Sequence, residues 1–259
     1  MICPLNTDLE YYNNLKAAGK LAANTIIMLK ELLNSERNTL KLDKIAGEYI
    51  QDNQGKCTFL NYNGFPRNIC ISRNNELVHG VAKDIELLDG DLITFDLGVT
   101  IGESIADTAA SYSVEEYKSL SHKRLIETGR LCLNNAIKSL KVGSKIGIIG
   151  YQIYKTAKQN GCNIIDNYGG HFISKNIPHS KPFIANKSEI NSGIRLQNGA
   201  TFAIEPLLVD FSCNTDTSTD KEDNWTVYTN GLSTHEEHTI YVKDGIIEVM
   251  TRRSDEKDY

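Results

Sequence analysis

Five residues in apolar, strand-like stretches carry side chains that bind metal ions, namely one imidazole and four carboxylates: His171, Asp96, Asp107, Glu205 and Glu237. Four carboxylates do not share a protein interior unless cations neutralise them, because an unpaired buried charge is very unfavourable. Two neighbouring divalent ions need a carboxylate that bridges them, and this mixture of oxygen and nitrogen ligands suits Mn, Fe, Co and Zn. The set therefore predicts two divalent metal ions.

The four acids fall into two pairs along the chain. Asp96 lies in ITFDLG and Asp107 in SIADTAASY, with Gly102 at a turn between them. If these runs form a hairpin, both carboxylates can project from adjacent strands toward one point. Glu205 in TFAIEP and Glu237 in HEEHTIYV supply a matching pair later in the chain. A single Asp would be interpreted as a turn or edge residue, but buried acids are rare unless they are paired or bind a metal.

Three histidines in the interior of the sequence are candidates for chemistry. His171 follows two glycines in YGGHF, which permit close approach of a ligand but are also common in loops. His79 in LVHGV and His179 in IPHSKP, taken singly, are more typical of structural or surface residues. The other histidines are less promising, because one opens a helix and two flank Glu237, where they orient it or are exposed: His122, His235 and His238. We keep a supporting role beside the metal ligands open for His238.

The elements that must hold these residues alternate between pairs of helices and groups of strands. Apolar residues recur at helical spacing in four stretches, residues 8–35, 39–50, 121–141 and 145–160, the last with Ser144 as its N-cap. Short apolar runs separated by turn residues follow each pair and predict antiparallel strands. This order predicts an α+β fold in which two halves of similar plan face one another over a shared sheet.

No flexible linker divides the chain, so we expect residues 1–259 to form a single catalytic domain. The stretch 210–224 is rich in turn formers and predicts an exposed loop. The final residues, 252–259, are polar and predict a solvated tail without a role.

The composition indicates which binding partners and which cellular compartment to expect. The net charge of −5, with scattered Lys and Arg, argues against a nucleic-acid partner. The six cysteines form no Cys-x-x-Cys pair and predict free thiols in a reducing compartment. With neither a secretory signal pattern nor an apolar run that could span a bilayer, we expect a cytoplasmic protein without a membrane partner.

Six segments in the same order resemble type I methionine aminopeptidases: NGFPRNICISRNNELVHGV (63–81), ITFDLGVTIGESIADTA (93–109), YGGHFISKNIPHSKP (168–182), GATFAIEP (199–206), NWTVYT (224–229) and HEEHT (235–239). The similarity runs from residue 8 to residue 251. It implies the pita-bread fold, in which two pseudo-symmetric halves surround a curved antiparallel sheet. It also implies that the five residues above are the ligands of a dinuclear metal centre, that His79 contacts the scissile peptide and that His179 stabilises the tetrahedral intermediate.

The resemblance implies removal of the initiator methionine from nascent polypeptides whose second residue is small. A hydroxide bridging the two metals would attack the scissile carbonyl, and Glu205 would relay a proton to the leaving amine. The methionine pocket would have aromatic walls and one thiol, which suit a thioether, although the same residues could be ordinary core: Phe59, Tyr62, Phe65, Cys70 and Trp225. We expect a monomer that meets its substrate at the ribosome.

Three features depart from the family pattern. Phe172 stands where a glycine usually follows the metal-binding histidine, and the segment from there to His179 is one residue longer than is common. The polar loop before Trp225 is also longer.

Two alternative functions stay open. One is a proline-specific aminopeptidase or dipeptidase of the same fold, which usually carries a separate N-terminal domain. The other is a non-catalytic peptide- or ribosome-binding relative, which would tend to lose metal ligands.

Overall fold

A computed structural model describes residues 5–256 of the chain. Its first two helices are α1, Leu9–Leu32, and α2, Thr39–Asp52. Each begins after a side-chain cap, because Asp8 accepts a hydrogen bond from the Tyr11 amide and Asn38 accepts one from the Lys41 amide. Both helices lie where the apolar spacing predicted them.

The second helix pair is α3, Leu120–Lys138, and α4, Gly147–Gln159. The Ser119 side chain caps α3 by accepting from the His122 amide. The prediction that Ser144 caps α4 is wrong, because the N-cap is Ile146. Ser144 instead accepts a backbone hydrogen bond from Leu196, next to a β-bridge between Lys145 and Arg195, so the chain is still extended there and turns into the helix later.

The strands of the first half are β1, Lys56–Cys57; β2, Cys70–Arg73; β3, Glu76–Val78; β4, Leu92–Ile101; and β5, Ser104–Ser113, with a short 3-10 turn at Tyr62–Gly64. Strands β4 and β5 form the predicted hairpin, and Gly102 takes a positive φ of 58° at its turn. Strand β5 pairs with one edge of β4, and both β1 and β2 pair with the other edge, β1 opposite Val99 and Thr100 and β2 opposite residues 93–96.

The second half contributes ten strands: β6, Cys162–Ile164; β7, Gly169–Ser174; β8, Ile177–Ala185; β9, Thr201–Ile204; β10, Leu207–Asp210; β11, Ser218–Thr219; β12, Val227–Tyr228; β13, Ser233–His235; β14, His238–Lys243; and β15, Ile246–Val249. A five-stranded sheet has the order β15-β14-β9-β7-β8, and β10 pairs with β13 and β6 in another. The run ATFAIEPLLVD therefore divides between two sheets at Glu205 and Pro206, a break that periodicity did not predict.

Each helix pair covers the outer face of its own half. In the first half, Leu15 and Ile26 of α1 pack with Phe95 of β4 in one apolar cluster. In the second, helices α3 and α4 pack over β9 and β14, where Phe202 and Ile240 are fully buried. The helices shield one face of the strands from water, so the opposite faces of the two halves are left to meet each other.

The loop from 210 to 224 is exposed or half-exposed, as predicted; it contains the short β11, which pairs with β12 beyond the loop. The prediction of a solvated tail holds for residues 252, 254 and 255, which are exposed, but it is wrong for Arg253, which is only 4% exposed. Its guanidinium contacts strand β5, a relationship between distant segments that local composition does not reveal. Residues 257–259 lie outside the described part of the chain.

Free thiols were predicted throughout, and the five cysteines within residues 5–256 are free: Cys57, Cys70, Cys132, Cys162 and Cys213. Cys3 lies outside the described residues. Among the helices of residues 5–256, none combines the length and the apolar character needed to cross a bilayer.

Candidate metal centre

The two aspartates project from one face of the β4–β5 hairpin. Asp96 lies opposite Ala109 and Asp107 lies opposite Gly98, so the two carboxylates are diagonal neighbours on that face. Cys70 of β2 lies opposite Asp96 on the other side of β4. The hairpin therefore brings both acids to one point, as the sequence predicted.

The other three candidate ligands come from the five-stranded sheet of the second half. His171 lies in β7, Glu205 directly follows β9, and Glu237 lies at the break between β13 and β14. A Cβ at Gly170 would lie 2.3 Å from the Ala203 carbonyl oxygen, so the residue before His171 must be glycine for β7 to approach β9. The two breaks in the strands thus carry the two glutamates.

All five candidate ligands meet where the halves face each other. His171 Nε2 lies 3.5 Å from Glu205 Oε1 and 3.9 Å from both Asp107 Oδ2 and Glu237 Oε1. Ligand atoms of His171, Glu205 and Glu237 lie within 4.8 Å of one another, and so do those of Asp96, Asp107 and Glu237. The two triads share Glu237, an arrangement compatible with two ions joined by a carboxylate.

The electrostatics of this cluster match a cation site. Burial, together with repulsion from the neighbouring acids, raises the carboxyl pKa values of Asp96, Asp107 and Glu237, and burial raises that of Glu205. Burial, followed by the nearby His179, lowers the pKa of His171 to about 3, which leaves a neutral imidazole with a free lone pair. These groups fit divalent ions, which would compensate the charges.

Two buried oxygens within the cluster strengthen this fit. Asp107 Oδ1 and Glu237 Oε1 accept no hydrogen bond from any described residue. A buried carboxylate oxygen without a partner costs free energy, and a bound cation is the partner that this chemistry favours.

The cluster forms the floor of a cavity of about 340 Å³. The walls include every residue that the resemblance assigned to substrate: His79, His179, Phe59, Tyr62, Phe65, Cys70 and Trp225. Phe65 and Trp225 meet edge to face at 5.4 Å, and Phe59 and Cys70 are buried beside them. The cavity therefore has a polar, acidic floor and an aromatic side that contains one thiol.

The two non-ligand histidines occupy different parts of this cavity. His79 follows β3 with a positive φ of 57°, a conformation that non-glycine residues seldom adopt and that is often found at functional sites. Burial lowers its pKa to about 4, and its ring contacts Tyr168 edge to face. His179 is exposed at the mouth, where partial desolvation lowers its pKa, and its ring centroid lies 4.3 Å from that of His171.

His235 is a cavity residue that sequence reasoning missed. It is 2% exposed, so the alternative that it lies on the surface is wrong. Its Nε2 lies 3.3 Å from Glu205 Oε2, and neither ring nitrogen makes a hydrogen bond to a described residue. Its place two residues before Glu237 in the run HEEHT is the sequence signal that could have identified it. Asn63, Val78, Asn167, Tyr168, Gly169 and Phe183 also line the cavity without having been predicted.

The remaining histidines lie elsewhere. His238 is buried behind the centre, with Nδ1 3.0 Å from Thr251 Oγ1 and Nε2 3.1 Å from Glu256 Oε1. His122 is buried near the start of α3, in edge-to-face contact with Tyr117.

The departures noted after His171 have a structural outcome. Phe172 is fully buried, and its ring lies 5.5 Å from that of Phe202. The pairing of β7 with β8 shifts register between His171 and Phe172, so the longer segment is absorbed by an irregularity in the strand pair. The shift leaves His171 and His179 both facing the cavity.

Comparison with known proteins agrees with this geometry. The model of metallopeptidase family M24 matches residues 13–244. The methionine aminopeptidase of Mycoplasma capricolum is 36% identical over 246 residues, 94% of this chain and 96% of the relative, and that of Rickettsia prowazekii is 33% identical over 262 residues, 100% of this chain and 99% of the relative.

Comparison with solved structures also places the chain among the methionine aminopeptidases. The crystal structure of methionine aminopeptidase from Rickettsia prowazekii matches with a TM-score of 0.89 at 32% identity, covering 96% of this chain and 100% of that one. Prolidase from Pyrococcus furiosus shares the fold alone, with a TM-score of 0.77 at 16% identity, covering 97% of this chain and 66% of that one. The predicted pita-bread fold is confirmed. Since a family model and relatives above 30% identity both span most of its length, the chain belongs to metallopeptidase family M24, within the methionine aminopeptidase group.

Proposed function

We propose that this protein hydrolyses the first peptide bond of polypeptides that begin with methionine and have a small second residue. The main support for the proposal is that one cavity combines an acidic floor with an aromatic side wall. Four buried carboxylates and a neutral imidazole form the floor, and aromatic rings with one thiol form the side wall. The first suits metal-assisted hydrolysis, and the second suits a thioether side chain.

Two divalent ions would be held by Asp96, Asp107, His171, Glu205 and Glu237. When bound, such ions supply a water of lowered pKa and polarise the scissile carbonyl. The donor set of oxygens with one nitrogen is compatible with Mn, Fe, Co or Zn.

Glu205 is the proposed general base and acid. It lies on the cavity floor with 12% of its side chain exposed, so its carboxylate can exchange a proton with water or substrate in the cavity. Glu205 would accept the proton of the attacking water and pass it to the leaving amine as the C–N bond breaks. Its Oε2 faces His235 Nε2 at 3.3 Å, which supports a fixed orientation of the carboxylate.

The two other histidines are proposed to handle the substrate. His179, beside His171 at the mouth, would donate a hydrogen bond to the oxyanion that develops on the attacked carbonyl. His79, held at positive φ beside Tyr168, would contact the scissile amide. The methionine side chain would lie against Phe59, Phe65 and Trp225, with Cys70 near its sulfur.

The substrate source and the setting are part of the proposal. Nascent polypeptides supply N-terminal methionine, so we place the activity in the cytoplasm, at the ribosome. We also propose that the protein acts as a monomer. One domain, residues 1–259, would carry the whole reaction, because both halves contribute ligands to the same centre.

One experiment tests the function directly. The purified protein is analysed for bound metal and then assayed with Met-Ala-Ser, Met-Lys-Ser and an X-Pro peptide in Mn²⁺, Fe²⁺, Co²⁺ and Zn²⁺. We expect methionine release from Met-Ala-Ser, little from Met-Lys-Ser and no cleavage of the X-Pro peptide. Failure to release methionine from Met-Ala-Ser with every metal would refute the proposal, and X-Pro cleavage would favour a prolidase-like activity.

A further inference from the structure

A buried arginine from the end of the chain lies directly behind the candidate metal centre. Arg253 is 4% exposed, although the residues on either side of it, Arg252 and Ser254, are exposed. Arginine is almost never fully buried unless it is paired, because its guanidinium loses its hydration. The contacts that compensate this loss indicate what the residue does.

The Arg253 guanidinium closes a ring of hydrogen bonds between the two halves. Its Nη1 donates to Thr108 Oγ1 at 3.0 Å and to the Ala109 carbonyl oxygen at 3.3 Å. Thr108 Oγ1 in turn donates to the Glu237 carbonyl oxygen at 2.8 Å, and the Glu237 amide donates to the Ala109 carbonyl oxygen at 2.9 Å. Every backbone group in this ring belongs to Glu237 or to the residues that follow Asp107.

Two glutamates hold the guanidinium in this orientation. Arg253 Nη2 pairs with Glu256 and lies 3.7 Å from Glu236 Oε2, and the Arg253 amide donates to Glu256 Oε2 at 3.0 Å. Glu256 is also anchored by His238. The planar guanidinium can pair with these acids through Nη2 while Nη1 donates the hydrogen bonds of the ring. A lysine ammonium is a single charged point and lacks this fixed, forked geometry.

We propose that Arg253 is a positioning residue of the metal centre, fixing the backbone of Thr108 and Ala109 against Glu237 and so setting the separation of the Asp107 and Glu237 carboxylates. The inference rests on the proposed metal-dependent function. The alternative is that Arg253 only stabilises the fold through its ion pairs with the two glutamates.

The test measures Mn²⁺ affinity by isothermal titration calorimetry on the full chain after metal removal. The variants are Arg253→Gln, Arg253→Lys, which keeps the charge, and Thr108→Val, which keeps the arginine and its ion pairs but removes the hydroxyl of the ring. Loss of groups that orient metal ligands typically weakens metal binding ~10- to 100-fold, and we expect a loss in that range for all three. The visible spectrum of the Co²⁺-loaded variants should also differ from that of the wild type, since the ligand geometry changes.

Arg130→Gln is the matched control. Arg130 Nε also pairs with Glu236, at 3.4 Å, and its Nη2 donates to a β5 carbonyl, that of Ser111, but it takes no part in the ring. We expect this variant to lose stability and to keep its Mn²⁺ affinity and Co²⁺ spectrum.

The outcomes distinguish a failure of the positioning role of Arg253 from a failure of the proposed metal-dependent function. Wild-type Mn²⁺ affinity and Co²⁺ spectra in folded Thr108→Val and Arg253→Lys would overturn the positioning role, even if Arg253→Gln failed to fold. An equal loss of Mn²⁺ affinity in Arg130→Gln would also overturn the positioning role, because the loss of affinity would then follow from lower stability alone. Absence of binding of Mn²⁺, Fe²⁺, Co²⁺ and Zn²⁺ alike by the wild type would instead refute the proposed function, and the inference with it.

Discussion

The hydroxyl of Thr239 bridges both backbone groups of Asp107. It accepts a hydrogen bond from the Asp107 amide and donates one to the Asp107 carbonyl oxygen, each at 2.7 Å. A side chain of β14 thus takes the place of a strand partner for β5, at the residue whose carboxylate points into the candidate metal centre. The two halves are joined at their ligands by hydrogen bonds as well as by packing.

Replacing Thr239 by valine should destabilise the protein and weaken metal binding. The substitution keeps the shape but leaves the buried amide and carbonyl of Asp107 without a partner, at a cost of about 1–3 kcal/mol. Urea unfolding of the metal-free protein measures the first effect, and Mn²⁺ titration the second. Thr25→Val is the control, because the Thr25 hydroxyl bonds only the Leu21 carbonyl within α1, far from the centre. Equal Mn²⁺ affinity in the two variants would contradict the role assigned to Thr239.

Metal removal should make stability depend on pH in a defined direction. Without cations, burial and mutual repulsion raise the folded-state pKa values of Asp96 and Asp107 to about 8. Their protonated forms stabilise the folded state at low pH, so the free energy of unfolding falls as pH rises from about 4 toward about 8.

Histidines oppose this trend only at lower pH. Burial lowers the pKa of His79 to about 4 and, with the nearby His179, that of His171 to about 3, so their contribution to stability increases as pH rises and is complete above about pH 6.5. Between about pH 6.5 and 8 the carboxyl effect remains, and unfolding in urea should become easier with rising pH in the presence of a chelator. Saturating Mn²⁺ should remove the decline, because the ions favour the ionised carboxylates. A decline of equal slope with and without Mn²⁺ would show that these acids do not bind the ion.

Asp107→Asn should abolish methionine release while leaving cooperative unfolding intact. The substitution removes one ligand and one of the mutually repelling acids, so the metal-free variant should be less sensitive to pH than the wild type. Activity on Met-Ala-Ser and a thermal unfolding curve measure the two effects. Near-wild-type activity would mean that the ligand assignment is wrong.

His179→Ala should lower kcat far more than stability. An oxyanion donor is worth ~10²- to 10³-fold in rate, and the exposed His179 side chain contributes little to the core. The assay is Met-Ala-Ser hydrolysis beside a thermal unfolding curve. His122→Ala, at a buried histidine in α3, should show the reverse: lower stability and unchanged kcat. A kcat for His179→Ala equal to that of the wild type would remove the residue from the mechanism.

Trp225→Ala should reduce the preference for methionine over norleucine at the first position. Contacts between sulfur and aromatic rings contribute about 0.3–1.5 kcal/mol, so kcat/KM for the methionine peptide should fall by up to about tenfold relative to its norleucine analogue. Trp225 meets Phe65 edge to face in the cavity wall, whereas the control Tyr151→Ala alters an exposed ring on α4. An unchanged methionine-to-norleucine ratio would indicate that the side chain binds elsewhere.

Local pattern was sufficient for much of the fold. The helical spacing of Leu15, Ala18, Ala22 and Ile26 predicted α1, since burying one stripe of a helix requires apolar residues at that interval. The turn at Gly102 predicted the hairpin, because a positive φ at a two-residue turn favours glycine. A hairpin in turn predicted that the carboxylates of Asp96 and Asp107 can project from adjacent strands toward one point.

Contacts between distant segments decided the remaining features. Ser144 is not a cap because its backbone accepts a hydrogen bond from Leu196, and Arg253 is buried within an otherwise exposed tail because its guanidinium bonds Thr108 on another strand. His235 enters the cavity because β13 packs beside β10, which brings its ring to Glu205. None of these partners is a neighbour in sequence.

The sequence by itself determined the candidate metal ligands, their order and the elements that carry them, because side-chain chemistry and local periodicity are properties of short segments. Only the tertiary structure decided that the ligands converge, that Glu205 and Glu237 lie at strand breaks, and that Thr239 and Arg253 bind the backbone between them. Those outcomes depend on how two separately packed halves meet, and hydrogen bonds across that interface are made by residues far apart in the chain.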